Sequence, residues 1–491
     1  MHSDNIDVRG VKLPRLTVAA VRGGSGKTVV TLGLVRAFRQ DGIDVATFKK
    51  GPDYIDAGWM ALASGRPCHN LDHFMMREET VLLSFGFRAS GAELSIIEGN
   101  RGLYDGVDLE GSFSTAELAR RLDSPVLLVV DCTKATRSIA AVVMGFCNFD
   151  PSVRLAGVVL NRVGGGRHEA LLRRAIEYYT DIPVLGAVKK FRRDPLPMRH
   201  LGLTPMDEHP ESGDALDDLA EVVRDAVDID KIKQVAWDVP VWKGPVADPL
   251  DMVQDVAGEN GPLIGVLRDA AFQFYYPENI EALRRAGGRV VFINAEQAQT
   301  LPEIDALYIG GGFPETRAEK LSGNRSFMAS LKARAMDGMP VYAECGGLMY
   351  LGRSIIWEGE TFPMTGVLNW SFVTGRRPVG HGYTILKALR DTPFFEKDRE
   401  LRGHEFHYSR PEPGPDRRVG EDQCVCEVVR GHGFSGEMEG VCLKNVFGTY
   451  THIHALDNQW WAEGLVRAAM RYSCNRPGPG MRHGIVEKVK T

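Results

Sequence analysis

The chain has 491 residues, of which 44% are hydrophobic and 25% are charged, and its formal net charge is −5. This length exceeds what one hydrophobic core serves, so we expect two or three domains of ordinary globular composition. An acidic balance without a basic stripe disfavours nucleic-acid binding, and no apolar run reaches the ~18 residues that span a membrane. A polar N-terminus and eight scattered cysteines favour a reducing, cytoplasmic location.

Short apolar segments that alternate with amphipathic ones predict an α/β protein, with a parallel, doubly wound sheet in the first series and a second α/β series after it. The first series of strand candidates is Leu16–Val21, Val45–Phe48, Leu94–Ile97, Pro125–Val130 and Leu155–Leu160, and the second is Pro262–Leu267, Arg289–Ile293, Ala306–Ile309, Pro340–Ala343 and Val446–Thr451. The predicted organisation is an N-terminal extension (1–14), a doubly wound domain (15–227), an irregular linker (228–260), a second α/β domain (261–473) and a tail (474–491).

The first strand candidate runs into a glycine-rich loop, Arg22-Gly-Gly-Ser-Gly-Lys-Thr28, and then into an amphipathic helix. This order is what a P-loop requires, because glycine N–H groups and the helix N-terminus converge on phosphate oxygens. Lys27 is expected to neutralise the β- and γ-phosphates, and the Thr28 hydroxyl to bind Mg²⁺. The run resembles the deviant P-loop Lys-Gly-Gly-x-Gly-Lys-Thr, with Arg22 at the first lysine and Val21 where the usual P-loop has glycine. The predicted ATP-binding residues are Gly23, Gly24, Ser25, Gly26, Lys27, Thr28 and Asn161, the last placed where related P-loop folds read the base.

Two acidic clusters follow strand candidates and would complete this site. Asp53 and Asp56 come after Val45–Phe48, and Glu98 and Asp105 end or follow Leu94–Ile97. The carboxyl ends of parallel strands meet at the edge where open sheets bind their ligands. We therefore predict that these four carboxylates face an acceptor or a metal. Thr28, Asp53 and Glu98 are the predicted Mg²⁺ ligands.

The second series contains a cysteine at a predicted strand-to-helix turn, in Val341-Tyr-Ala-Glu-Cys-Gly-Gly-Leu-Met-Tyr350. A tight turn of this kind exposes the sulfur of a nucleophile, and the helix N-terminus favours the thiolate. The glycines of Tyr308-Ile-Gly-Gly-Gly-Phe-Pro-Glu315 can turn N–H groups toward an oxyanion. We predict Cys345 as nucleophile, His452 as its base, and an oxyanion and glutamine site at Gly310, Gly311, Gly312 and Gly346.

The order of glycine loop, cysteine elbow and late histidine resembles the triad-type, class I glutamine amidotransferase domain. In that family a glutamate normally follows the histidine by two residues and orients it. His454 stands at that position here. The resemblance therefore implies a class I amidotransferase-like α/β domain in which Cys345 and His452 act as a pair. The roles of His404, His407 and His454 stay open.

Three further segments, Lys50-Gly-Pro-Asp-Tyr-Ile-Asp56, Arg268-Asp-Ala-Ala-Phe-Gln-Phe-Tyr-Tyr-Pro-Glu278 and Gly403-His-Glu-Phe-His-Tyr-Ser409, resemble the cobyrinic acid a,c-diamide synthase family. That resemblance implies that glutamine is hydrolysed at Cys345 and that ATP activates a peripheral carboxylate of a tetrapyrrole as an acyl phosphate. Ammonia then converts the activated group to an amide. The implied partners are glutamine and a tetrapyrrole polycarboxylate, and the implied cofactors are ATP and Mg²⁺.

The acceptor is cobyrinate or hydrogenobyrinate in the first interpretation, and sirohaem or nickel-sirohydrochlorin in the alternative, since all are planar polyanions. A hypothesis of another class is a P-loop regulatory ATPase that carries a degenerate glutaminase module. Val21 and His454, the two departures from family patterns, are its support. The sequence leaves the oligomeric state open, with a homodimer as one alternative.

Overall fold

The computed structural model describes residues 10–191, 196, 198–199, 202–203, 212–414 and 424–476. The chain separates into two units, Met1–Asp251 and Met252–Thr491. Each unit has its own main sheet and its own hydrophobic core residues. In the described part of the chain, no helix is both long and apolar enough to cross a membrane.

The first unit is a doubly wound parallel sheet, as the sequence predicts. Its strands are β1 (Arg15–Ala20), β2 (Val45–Lys50), β3 (Cys68–Leu71), β4 (Leu94–Glu98), β5 (Val126–Asp131), β6 (Leu155–Val163), β7 (Val184–Lys189), β8 (Met198–Arg199) and β9 (Gly202–Leu203). Its helices are α1 (Lys27–Gln40), α2 (Ile55–Ser64), α3 (Glu78–Ser90), α4 (Thr115–Arg121), α5 (Ser138–Phe149), α6 (Gly166–Tyr179), α7 (Ser212–Ala226) and α8 (Ile229–Trp237). Seven strands lie in the order β3-β2-β4-β1-β5-β6-β7, and β8 pairs with β9 separately.

Strand β1 lies at the centre of this sheet, and all six of its residues are buried. Leu16 and Val18 belong to one buried core, and Ala19 belongs to the core on the opposite face. Parallel strands need helical crossovers, so helices cover both faces. The loops after β1, β2 and β4 consequently meet at one edge of the sheet.

Two segments outside the predicted domains pack more tightly than expected. Leu13, in the described part of the predicted extension, is buried, and Val11 forms a β-bridge with Trp242. The predicted linker 228–260 contains helix α8, which buries Ile232 and Ala236, so this part of the stretch is not irregular. Residues 477–491 of the predicted tail lie outside the described residues, and the exact domain limits stay predictions.

The second unit places five parallel strands beside an antiparallel extension. Its strands are β10 (Leu263–Leu267), β11 (Arg289–Ile293), β12 (Ala306–Ile309), β13 (Val341–Glu344), β14 (Ser354–Trp357), β15 (Glu360–Pro363), β16 (Trp370–Thr374), β17 (Gly380–Ala388), β18 (Glu400–His407), β19 (Ser409–Pro413), β20 (Cys424–Arg430), β21 (Met438–Leu443), β22 (Val446–Thr449) and β23 (His452–Ile453). Its helices are α9 (Pro277–Arg285), α10 (Ala318–Gly323), α11 (Arg325–Met336), α12 (Gly346–Leu351) and α13 (Gln459–Asn475).

The main sheet of this unit has the order β11-β10-β12-β13-β22-β21-β20-β17-β18-β23, and a smaller sheet has the order β15-β14-β16-β19. Strands β11, β10, β12, β13 and β22 are parallel neighbours. Their carboxyl ends therefore lie along one edge, where the loop after β12, the elbow after β13 and the segment after β22 meet.

The contact between α1 and α7 depends on a glycine. A Cβ added at Gly33 would lie 2.4 Å from Val223 Cγ2 and 2.9 Å from the Leu219 carbonyl oxygen. We expect Gly33→Ala to lower the free energy of unfolding, because overpacking costs about 1–3 kcal/mol and outweighs the helix propensity gained, about 1 kcal/mol. Gly145→Ala, at an exposed position of α5 with nothing within 4 Å, should raise it. Urea unfolding followed by circular dichroism checks both, and equal effects would contradict this packing.

Candidate active sites

The glycine-rich loop of the first unit keeps open space beside its backbone. Gly24 and Gly26 have φ values of +75° and +89°, which glycine adopts without the strain that a side chain brings. A Cβ added at Gly23 or Gly24 would meet no atom within 4 Å. Helix α1 begins directly after the loop at Lys27, so its first N–H groups point toward this space. The geometry fits a phosphate-binding loop.

A buried ionic cluster lies beside this loop, at the carboxyl ends of β2 and β4. Lys49 Nζ donates to Asp56 Oδ2 at 2.6 Å and to Glu98 Oε1 at 2.8 Å. The Thr28 hydroxyl donates to the same Glu98 oxygen at 2.9 Å, and Lys27 Nζ is 3.9 Å from it. Lys49 and Glu98 meet because they are register partners in adjacent strands. Four predicted residues thus surround a lysine that the sequence analysis did not single out.

Charge pairing inside the cluster sets the protonation of its members. Burial alone would lower the pKa of Lys49, but Asp56, Glu98 and Asp53 hold it above the ordinary value. Burial alone would raise the pKa of Asp56, but Lys49 and Lys27 hold it below the ordinary value. Burial and the neighbouring Asp56 raise the pKa of Asp53 to about 6. The charge of Asp53 near neutral pH therefore depends on what binds beside it.

The donor set fits a magnesium ion that is shared with nucleotide phosphates. Glu98 Oε2 is buried without a hydrogen-bond partner, although Oε1 of the same carboxylate accepts from Thr28. A cation would satisfy such an orphaned acceptor. Among the described residues, no group of three or more His, Cys, Asp or Glu side chains is arranged to hold a metal by itself. Mg²⁺ usually takes one or two protein carboxylates together with phosphate oxygens. Asp53 and Glu98 would supply the carboxylates here, and Thr28 would add its hydroxyl.

Two predicted residues of this unit make other contacts. Asn161 is buried against the loop, where its Nδ2 donates to the Ser25 carbonyl at 2.8 Å and its Oδ1 accepts from the Arg162 N–H at 2.9 Å. These bonds brace the loop, and a role in reading the base stays a prediction. Asp105 is exposed and accepts the Gly102 N–H at 2.8 Å, so it caps its own loop outside the hydrogen bonds of the ionic cluster.

The predicted strand-to-helix turn is present at Cys345 in the second unit. Cys345 has φ +47° and ψ −100°, a conformation that is rare for a residue with a side chain and costs about 1–3 kcal/mol. Its N–H donates to the Thr449 carbonyl at 2.7 Å, which fixes the turn to the end of β22. A Cβ at Gly346 would lie 2.9 Å from Pro314 Cδ, so the residue after the cysteine has to be small. This is the local geometry of a nucleophile elbow.

The glycine loop after β12 lies against the elbow, but its three glycines differ in role. Gly310 donates its N–H to the Tyr275 hydroxyl at 2.8 Å, so the prediction that this N–H faces an oxyanion is wrong. Gly312 N lies 3.1 Å from where a Cβ on Gly346 would be. The backbones of Gly312 and Gly346 are thus close neighbours, and their N–H groups stay the predicted oxyanion donors.

His452 lies at the same edge of the sheet. A Cβ added at Gly311 would be 2.4 Å from His452 Cε1 and 3.2 Å from its Nε2, so only glycine leaves room for the imidazole. On its other side, His452 Nδ1 is 3.3 Å from Oε2 of Glu344, which is fully buried. The loop, the elbow and the histidine converge because β12, β13 and β22 are parallel neighbours.

The neighbouring histidines have separate partners. His454, at the position where the amidotransferase pattern has glutamate, lies with its Nε2 3.4 Å from Glu278 Oε2. The ring of His404 stacks on His452 with centroids 4.9 Å apart. Burial, with His452 as a further cause, lowers the pKa of His404 well below its ordinary value, so this ring is neutral. His407 lines a cavity of about 590 Å³ together with Trp370, Val379, Arg410, Pro411, Pro413, His432, Gly433, Phe434 and Ser435.

The thiol of Cys345 is not pre-ionised. Burial raises its pKa above the ordinary value, and the Glu315 carboxylate, whose own pKa burial raises to about 7, adds to the effect. The Gly346 N–H opposes this shift without reversing it. Desolvation therefore outweighs the helix N-terminus, which the sequence analysis expected to favour the thiolate. The thiol consequently needs a proton acceptor.

Sequence reasoning missed Lys49 and Glu344. Each ends or nearly ends a strand whose residues are all buried. Charged side chains are seldom fully buried unless they are paired. A lysine or glutamate inside an apolar strand was therefore a signal, but the partner could not be named without the register of the sheet.

Two family descriptions match separate parts of the chain. Residues 16–200 match the CobQ/CobB/MinD/ParA nucleotide binding domain, and residues 263–460 match the CobB/CobQ-like glutamine amidotransferase domain. A protein from Magnetococcus marinus named cobyrinate a,c-diamide synthase is 40% identical over 458 residues, which cover 93% of this chain and 97% of that protein. The chain belongs to the cobyrinate a,c-diamide synthase family.

Other similar proteins carry the same name. The protein from Archaeoglobus fulgidus is 38% identical over 94% of this chain and 98% of its own length, and that from Listeria innocua is 38% identical over 90% and 97%. These matches confirm the family and the α/β class that the sequence predicts. Membership of this family makes the chain an enzyme of the glutamine-hydrolysing ligase type. PurLQS from Thermotoga maritima, a solved structure, is 17% identical with a TM-score of 0.31 over 44% of this chain and 98% of its own, too low to carry an argument.

The buried pairing of Lys49 generates a stability prediction. Lys49→Met leaves Asp56 and Glu98 without their cation, so we expect the free energy of unfolding at neutral pH to fall by about 3–5 kcal/mol. The folded-state pKa of Asp56 is lowered, so the pair stabilises the protein above the ordinary aspartate range and less as pH falls through the lowered value. The difference between wild type and variant should therefore shrink in acid.

Arg36→Met is the matched control for Lys49→Met. It breaks the partly exposed Arg36–Asp217 pair of the same unit, and should cost about 1 kcal/mol or less. Urea unfolding of both variants at several pH values is the measurement. Equal losses at neutral pH would contradict the weight assigned to the buried cluster.

Proposed function

We propose that this enzyme uses ATP and glutamine to amidate the a- and c-acetate carboxylates of cobyrinate or hydrogenobyrinate. The observation that carries the proposal is the presence of two sites in one chain: an elbow cysteine with a histidine at the same edge of the sheet, against the glycine loop, and a P-loop with a buried ionic cluster. The acceptor is taken from relatives that are 38–40% identical over nearly the whole chain. Sirohaem and nickel-sirohydrochlorin are the alternative acceptors.

Glutamine hydrolysis is assigned to Cys345 and His452. The neutral thiol gives its proton to the imidazole, and the sulfur attacks the side-chain amide carbon of glutamine. The N–H groups of Gly312 and Gly346 stabilise the oxyanion. The proton returns to the nitrogen as the carbon–nitrogen bond breaks, so ammonia leaves and the glutamyl group stays on Cys345 as a thioester. Water then hydrolyses the thioester to glutamate and restores the thiol.

The amidation step is assigned to the first unit. A carboxylate is a poor electrophile, so transfer of the γ-phosphoryl group of ATP to it supplies a leaving group, and ammonia displaces phosphate to give the amide. Lys27 and the open backbone at Gly23 and Gly24 would hold the phosphates. Bound Mg²⁺ would neutralise charge on the transferring phosphoryl group, with Thr28, Asp53 and Glu98 as protein ligands. Lys49 keeps Asp56 and Glu98 in place for these contacts.

The competing hypothesis, a regulatory ATPase with a degenerate glutaminase module, explains the second unit less well. A module that only binds has no need of a strained elbow, and strain of this kind persists where the surrounding structure and function require it. Tight packing of His452 against Gly311 also supports a working base. Glutamate release from glutamine separates the two hypotheses.

Cys345→Ser separates the two half-reactions. We expect glutamine hydrolysis to fall about 1,000-fold or more, because the nucleophile is lost, while amidation driven by added ammonium salt is kept. Cys474→Ser, which alters an exposed thiol, is the control and should change neither. Glutamate and amide product are measured in parallel. Loss of ammonia-driven amidation in Cys345→Ser would show that the cysteine has a structural role instead.

Lys27→Ala should give the reciprocal result. Amidation is expected to fall about 100-fold with either nitrogen source, because removing one preorganised charge from a phosphoryl-transfer site commonly costs this much. Glutamine hydrolysis should change far less. A wild-type enzyme that binds ATP but releases no glutamate from glutamine would overturn the proposed function as a whole.

A further inference from the structure

The most informative unassigned group of the second unit is the Glu344 carboxylate. Glu344 is the last residue of β13 and directly precedes Cys345, and its side chain is fully buried. Oε2 lies 3.3 Å from His452 Nδ1 and accepts from the Tyr308 hydroxyl at 3.3 Å, while Oε1 accepts the Ile453 N–H at 3.5 Å. The carboxylate is thus held on both oxygens.

The sheet explains why this carboxylate meets the histidine. Glu344 is the register partner of Thr449 in the neighbouring strand β22, and His452 follows Thr449 by three residues. The chain therefore returns past the end of β13 with the imidazole beside the carboxylate. The opposite edge of the ring, with Nε2, lies against Gly311 of the glycine loop. Carboxylate and glycine loop together fix the ring on two sides.

We propose that Glu344 is the positioning residue of the glutaminase, which holds the Nδ1 proton of His452 so that Nε2 is free to take the thiol proton of Cys345. The proposal rests on the function proposed above. The carboxylate keeps its charge throughout: the proton moves from Sγ to Nε2 and then to the departing ammonia nitrogen. Glu344 stabilises the imidazolium that exists between these two transfers.

This assignment replaces the expectation of a bare Cys345–His452 pair. The amidotransferase pattern has its orienting glutamate two residues after the histidine, but His454 occupies that position and pairs with Glu278 at 3.4 Å. The carboxylate beside His452 comes instead from the residue before the nucleophile. A carboxylate from β13 thus lies within hydrogen-bond distance of His452 Nδ1, although the position of the usual glutamate is taken by a histidine.

The neutral thiol gives the positioning role a chemical consequence. Because burial raises the pKa of Cys345, the sulfur reacts only when a base removes its proton. A histidine with the wrong tautomer would present an N–H to the thiol and could not act as that base. Burial also raises the pKa of Glu344, and the hydrogen bond with His452 only partly opposes the shift, so this carboxylate becomes protonated at a higher pH than an exposed glutamate.

The test compares Glu344→Gln with Glu278→Gln, which alters the carboxylate of another buried His–Glu pair, His454–Glu278. For Glu344→Gln we expect kcat for glutamine hydrolysis to fall about 100-fold, within the range that general-base catalysis supplies, while KM and ammonia-driven amidation change little. Glu278→Gln should keep kcat close to that of the wild type. Equal activity of the two variants, with an active wild type, overturns this inference alone. An inactive wild type overturns the proposed function instead.

Two readouts distinguish positioning from a structural role. The acid limb of the wild-type pH–rate profile should include protonation of Glu344 and should move to lower pH in Glu344→Gln, whereas a merely destabilised site would leave it in place. The second readout is the tautomer of His452, which is measured on the wild-type protein. In ¹⁵N-histidine spectra of the wild type, assigned with His452→Asn, His452 should carry its proton on Nδ1. A proton on Nε2 of the neutral ring overturns the inference.

Discussion

The constraint on which both sites depend is that parallel strands end at one edge of their sheet. In the first unit this brings the loop after β1 to the ends of β2 and β4, so Thr28, Lys49 and Glu98 share hydrogen bonds although they are distant in the chain. In the second unit it brings the ends of β12, β13 and β22 together at Cys345. Chemistry in this protein is therefore assembled from strand ends, and the strands themselves supply the rigid support.

Burial has opposite consequences at the two edges. In the first unit a fully buried lysine is matched by carboxylates, so charge is kept inside the protein by pairing. In the second unit burial raises the pKa of the Cys345 thiol, which favours its neutral form. The first arrangement suits the recognition of phosphates and cations, which bring charge with them. The second suits a nucleophile that reacts only after a base has taken its proton.

Much of this organisation can be predicted from the sequence, because strands and glycine loops are local patterns. Arg289–Ile293 and Ala306–Ile309 are strands with the predicted bounds, and the elbow at Cys345 is where its flanking residues place it. Pairings between distant residues are not local: 49 positions separate Lys49 from Glu98 and 108 separate Glu344 from His452. Reasoning from the sequence looked for the carboxylate that orients His452 two residues after it, where His454 stands. The register of β13 with β22 instead places Glu344 beside His452.

The central claim is that nitrogen released at Cys345 becomes an amide of a tetrapyrrole activated by the first unit. The most direct measurement incubates the full chain with Mg²⁺, ATP and glutamine labelled with ¹⁵N in its side-chain amide, with cobyrinate, sirohaem or nickel-sirohydrochlorin in separate reactions. The account predicts that cobyrinate gains two labelled amides, with one ADP and one glutamate released for each. Glutamate and ADP without labelled amide in any acceptor would contradict it.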